Sequence, residues 1–224
     1  MNRTVHVVLA LTLVACAAAS FPANGFSVVM ARSSDPGEAG ELVVFVGEQL
    51  SYEDDTMDCG DDCWVFDRWH KARYRVAEWV HGVPPGAEIE FSVAEHAPMV
   101  PFGQSRHALV FLEKTDDGFM LVKYQDVSVH PAAGGSFASC GPVYEEDANA
   151  PPLEDIVFEP TLVVDETARL SRDAWGELHD PRWHARVGDE IVCARGVPVA
   201  RIARFMANRH PTLKAALPAL AGDE

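Results

Sequence analysis

Cys59-Gly60-Asp61-Asp62-Cys63 puts two thiols in one short acidic loop, and His70 follows a few residues on. Two soft thiolates with an imidazole suit Cu(I), and a close thiol pair also suits redox exchange. The cysteine count points elsewhere. With Cys16 set aside for reasons given below, Cys59, Cys63, Cys140 and Cys193 remain, an even set that reads as two disulfides in an oxidising compartment. Three pairings are open. A local Cys59–Cys63 bond would constrain the unfolded chain less than a long-range bridge, and the expectation carried forward ties Cys59 or Cys63 to Cys140.

Other candidate chemistry is thinner. His179, Asp180 and His184 could ligate a metal, but their spacing implies no third ligand, so surface or internally satisfied histidines are expected. The run Asp54, Asp55, Asp58, Asp61 and Asp62 lacks the alternating ligands and terminal Glu of an EF-hand and reads as a solvated acidic loop. Ser105, Ser136 and Ser139 have His107 and His130 near them in sequence, which is cheap support for a triad. Trp64, Phe66 and Trp69 read as a buried plug at a barrel end in preference to a binding surface. No Gly-rich phosphate loop, nucleophile elbow, paired C-x2-C or H-E-x-x-H motif is present. No residue is assigned a catalytic role, no cofactor is expected, and the only metal alternative is Cys59, Cys63 and His70. That C-x3-C pair resembles the copper-binding pair of Sco-type proteins, where a distant His completes the site. Here Trp64 stands where that pattern has proline, and the βαβ layout of a thioredoxin-like domain is missing.

Bulk properties narrow the partners. Asp and Glu outnumber Lys and Arg 34 to 18, giving a formal charge of −16, a field that repels polyphosphates; nucleic acid is excluded as a partner. The same acidity keeps an exported protein soluble. The length of 224 residues, 48% of them hydrophobic, suits one principal core.

The first fifteen residues read as an export signal. Arg3 and the amino terminus precede an apolar run, Val5 to Ala15, of signal-peptide length and too short to span a bilayer comfortably. The run ends in Leu13-Val14-Ala15-Cys16, which resembles the bacterial lipobox. That resemblance implies cleavage before Cys16 and diacylglyceryl attachment to its thiol, with membrane contact through the lipid anchor only. Ala17 follows, where an Asp would favour inner-membrane retention in Gram-negative lipoproteins, so an outer-membrane location is expected. The rival is an ordinary signal cut among Ala17-Ala18-Ala19.

Behind the signal, residues 16–40 are rich in Ala, Ser, Gly and Pro and read as a flexible tether. Residues 42–52 read as a strand with a bulge or bend at Gly47. Residues 72–80 and 88–93 alternate, as half-buried antiparallel strands do, around the turn Gly82-Val83-Pro84-Pro85-Gly86. Residues 107–113 and 119–124 flank Thr115-Asp116-Asp117-Gly118, a hairpin signal. These strands predict a mainly β fold, an OB-like five-stranded antiparallel barrel over 41–147. The C-terminal α/β extension, 148–224, has short extended pieces at 156–158, 161–164 and 190–193. A helix near 198–209 should lay Val199, Ile202, Phe205 and Met206 on the barrel.

The strand segments "VVFVGEQLSYE", "ARYRVAEWVHGVPPGAEIEFSV" and "HALVFLEKTDDGFML" resemble the OB-type barrel of netrin-like modules, the class that includes tissue inhibitors of metalloproteases. His81-Gly82 and Gly86 occupy the glycine positions of that pattern, and Leu109 to Leu112 its later apolar stretch. Inhibitors of that class set a free N-terminal cysteine on zinc; Cys16 lies behind a signal and ahead of a tether, so that activity is not carried over. The expected role is a non-catalytic, envelope-anchored binding or assembly module whose partner is another envelope protein. A metal-handling or thiol-redox protein is the alternative.

Overall fold

A computed structural model describes residues 27–29, 41–55, 63–65, 67–83, 85–96, 101–164, 179–209 and 213–214. Strands β1 (Ser27–Val29), β2 (Leu42–Asp55), β3 (Cys63–Val65), β4 (Arg68–His81), β5 (Glu88–Glu95), β6 (His107–Thr115), β7 (Gly118–Ala132) and β8 (Ser136–Ala138) precede four short strands and a helix. The main sheet has the order β5-β4-β2-β6-β7-β8. Its neighbours are antiparallel, and β5 also meets β7 through one parallel bridge, Ser92 to Met120. Five strands therefore close a ring in which β2 lies between β4 and β6, the Greek-key arrangement of an OB-like fold. Inside the segment read as a tether, β1 pairs in parallel with β3, Ser27 opposite Cys63.

Two apolar clusters divide at the wall of this ring. Val43, Phe45, Ala72, Tyr74, Phe91, Val110 and Leu112 fill its interior. Leu42, Val44, Val46, Leu109 and Phe111 face the other way and lie under helix α1 (Val199–Arg209). The continuous burial of Leu42 to Val46 follows, because both faces of that stretch are covered. Helix α1 opens after Pro198, whose carbonyl accepts from Arg201 and Ile202, and buries Val199, Ile202, Phe205 and Met206 as the sequence predicts. Burial of each large side chain is worth about 1.5–3 kcal/mol. Gly47 sits at a register shift in the pairing of β2 with β4, where Ala77 of β4 is the extra residue. A Cβ there would lie 2.7 Å from the Phe45 ring and 2.8 Å from that of Tyr74, so the position has room only for glycine.

The extension is sparsely paired. Strand β9 is Glu154–Asp155, β10 is His184–Val187, β11 is Glu190–Cys193 and β12 is Arg195–Gly196; Phe158 and Val163 make single bridges only. The expected bond from Cys59 or Cys63 to Cys140 is corrected here: Cys140 is bonded to Cys193, with Cα atoms 5.8 Å apart. Gly141 N–H donates to the Arg195 carbonyl, and Ser139 N–H to that of Val197, so the chain leaving β8 already runs beside β12, just past Cys193. With a sequence separation of 53, the pair restricts the unfolded chain by about 4 kcal/mol in the loop-entropy picture.

Candidate functional site

The ring departs from regular pairing most strongly in β7. Leu112 pairs with Leu121 and Val110 with Asp126, so residues 122–125 lie opposite Phe111 alone. This wide bulge inserts an odd number of extra residues and turns the strand over. Leu121 belongs to the ring interior, whereas Val127 and Val129 lie on the α1 side. Asp126 pairs with Val110, an interior residue, and so faces inward.

Tyr124, in the bulge, has φ of 62°, and Tyr144, beyond β8, has φ of 54°. A bulky side chain in the left-handed region costs about 1–2 kcal/mol. The two are held together, since the Tyr144 hydroxyl donates to the Tyr124 carbonyl at 3.1 Å. Both present surface, with 57% exposure at Tyr124 and 36% at Tyr144. Lys123 Nζ lies 5.5 Å from the centre of the Tyr124 ring, and the Arg209 guanidinium 4.5 Å from that of Tyr144. An open recess lined by Tyr144, Glu145, Glu146, Asp147, Ala148 and Arg209 lies alongside. Arg209 is fixed by Asp147 at 3.2 Å.

Beneath the bulge are buried ionisable groups. Lys123 and His96 both reach the buried Asp67 carboxylate, at 2.8 and 2.7 Å. Tyr124 N–H donates to Glu95 Oε1 at 3.3 Å, and Glu95 is 3% exposed. Burial pushes the Glu95 carboxyl up, against the Tyr124 N–H and the Lys123 charge. Burial, with the Glu95 charge added, raises Asp126 to about 7. Tyr52 stacks on His70 at 4.8 Å and meets Phe102 edge-on at 5.8 Å; its hydroxyl has no hydrogen-bond partner among the described residues.

The residues expected from sequence are scattered over other parts of the fold. Cys16, Cys59, Asp58, Asp61, Asp62 and Phe66 lie outside the described residues, and Cys63 is in β3. His70 is 1% exposed inside the ring. Its Nδ1 is 3.0 Å from an Asp54 carboxylate oxygen, but the pair is not aligned as a hydrogen bond. Asp54 and Asp55 end β2. Trp69 is half-buried on β4. The His179 and His184 rings stack at 5.9 Å; Asp180 N–H donates to His184 Nδ1, and the Asp180 carboxylate is taken by Arg182. Among the described residues no three His, Cys, Asp or Glu side chains are grouped to hold a metal. Ser105 donates to Ser128, Ser136 to the Ala133 carbonyl and Ser139 to the Gly141 carbonyl. His107 packs by Phe137 and His130 by Phe158, and burial lowers the pKa of both.

Tyr124, Tyr144, Glu95, Asp126 and Arg209 escape the sequence reading. Lys123-Tyr124-Gln125-Asp126 is the one faint signal, a polar interruption between two apolar alternating runs. Comparison with protein-family models, curated proteins and solved structures returns no match for this chain.

Proposed function

We propose that this protein is an exported, lipid-anchored and non-catalytic binding module, with Tyr124, Tyr144 and Arg209 as the centre of its partner-binding surface. One observation carries the reading: two exposed tyrosines, both in left-handed backbone, are hydrogen-bonded to each other beside an open recess. Strain of that kind concentrates where a surface is shaped for contact. Tyr and Arg dominate the energetics of protein interfaces, because rigid rings and a planar guanidinium give much contact for little lost freedom. The partner is another envelope protein, a reading supported by the signal-like run and by Cys16. The netrin-like strand pattern supports kinship with other OB-type modules, though not an inhibitory activity.

The test is site-specific photocrosslinking in intact envelopes of cells expressing the full chain. A benzophenone at position 124 should capture one defined protein, while the same group at Lys71, exposed on the outer side of β4, should not. Tyr144→Ala in the position-124 background should abolish the product. Equal capture at both positions would defeat the assignment of this surface. Anchoring is tested separately by labelled palmitate, which Cys16→Ser should no longer incorporate.

A further inference from the structure

The ring closes through its weakest junction. Strands β4 and β5 pair along their length, but β5 and β7 share the single bridge Ser92 to Met120. Past that bridge the seam is held by side chains: Tyr124 N–H on Glu95, and Lys123 with His96 on Asp67. Glu95 ends β5 and Asp126 follows the bulge in β7, so the seam has one inward carboxyl on each side.

We propose that Glu95 and Asp126 form a proton-operated latch on the β5–β7 seam, shut while at least one of them is protonated and loosened when both are ionised. The groups around Asp126 bring no positive charge to it, and β6, which pairs with it through Val110, turns only apolar side chains to that face. Glu95 comes from β5, Tyr52 from β2, Tyr74 from β4 and Tyr144 from the loop after β8. Lys123 and His96 lie near Glu95, but both are engaged by Asp67, whose own charge opposes ionisation of Glu95. Two like charges in a poorly solvated space repel far more strongly than in water. The cheapest relief is movement of the bulge, because residues 122–125 have no one-to-one pairing with β6.

The sign is fixed by the direction of the shift. Asp126 is raised from 3.8 to about 7, so the native state holds its proton more tightly than the unfolded chain does. Stability is therefore full below the unfolded value and is lost as pH rises towards the folded one. Burial and the Glu95 charge act in the same direction, so neither offsets the other. The bulge carries Tyr124, so the latch would also set the shape of the partner-binding surface. That link rests on the reading of Tyr124 and Tyr144 above, whereas the proton step does not.

The experiment therefore uses no partner. Carbon-detected NMR of the soluble full-length Cys16→Ser protein follows the Asp126 carboxyl through pH, and amide exchange, corrected for its intrinsic rate, follows Met120 to Tyr124. The carboxyl should titrate with a midpoint above about 5, and seam protection should fall at least about tenfold between about pH 5 and about pH 8, with Val43 and Val110 unchanged. Asp126→Asn should remove the pH dependence; should that variant not fold, Glu95→Gln should reduce it. A midpoint at or below about 5, or seam protection equal at both pH values in the unsubstituted site, would overturn the latch. So would a pH dependence undiminished in Asp126→Asn or in Glu95→Gln. A failed crosslink at position 124 would leave all these readouts as they are.

Discussion

Strands β4 and β7 solve the same problem in opposite ways. Over residues 70–75 β4 keeps strict alternation: His70, Ala72 and Tyr74 point inward, Lys71, Arg73 and Arg75 outward, the last bonded across the sheet to Glu48. Strand β7 starts with one face inward, turns over within four residues, and continues with the other. The regular strand builds wall. The irregular one pays for its turn with backbone strain and gains an inward carboxyl, an outward tyrosine and a seam that side chains must hold.

The largest test of this contrast is at the regular wall. Phe45→Ala, which empties a fully buried site in the ring, should cost about 3–5 kcal/mol in urea unfolding, with the seam and the wall lost together. Next comes the pH dependence of the irregular strand. Raising pH from about 4 to about 8 should remove up to about 4 kcal/mol, the equivalent of the shift at Asp126, and Asp126→Asn should flatten the curve. Tyr124→Gly should stabilise by about 1 kcal/mol, because glycine relieves the left-handed strain and the exposed ring contributes little packing. If Tyr124→Gly is instead strongly destabilising, the bulge is part of the packed wall and the contrast fails. Smallest of all, Lys71→Ala on the outer face of β4 should stay within about 0.5 kcal/mol of the parent.

What could be read in advance divides along the same line. The alternation of residues 88–93, the glycine at position 47 and the Asp-Asp-Gly turn each encode local geometry, so strand positions, an irregularity at Gly47 and the β6–β7 hairpin were legible. The apolar face from Val199 to Met206 likewise declared its burial. Strand β7 was legible only as far as its first half. Leu121, Val127 and Val129 share a parity that a continuous strand would place on one face; the bulge separates them, and only the polar stretch from Lys123 to Asp126 hints at it. Tyrosine is in any case a poor advertisement for left-handed backbone. Glu95 and Asp126 come together only through ring closure, a long-range event that local spacing does not encode. The disulfide shows the same limit: Cys140 meets Cys193 because α1 and the strands before it fold back over the outer wall, not because of any interval between cysteines.

That bond has a temporal meaning as well as an energetic one. Cys193 follows all five ring strands in the chain, so a polypeptide delivered amino-terminus first cannot oxidise this pair until the ring has fully emerged. The Cys140–Cys193 link is thus a late event in biogenesis, and a thiol-trapping time course should find Cys140 still reduced in every chain whose delivery is incomplete.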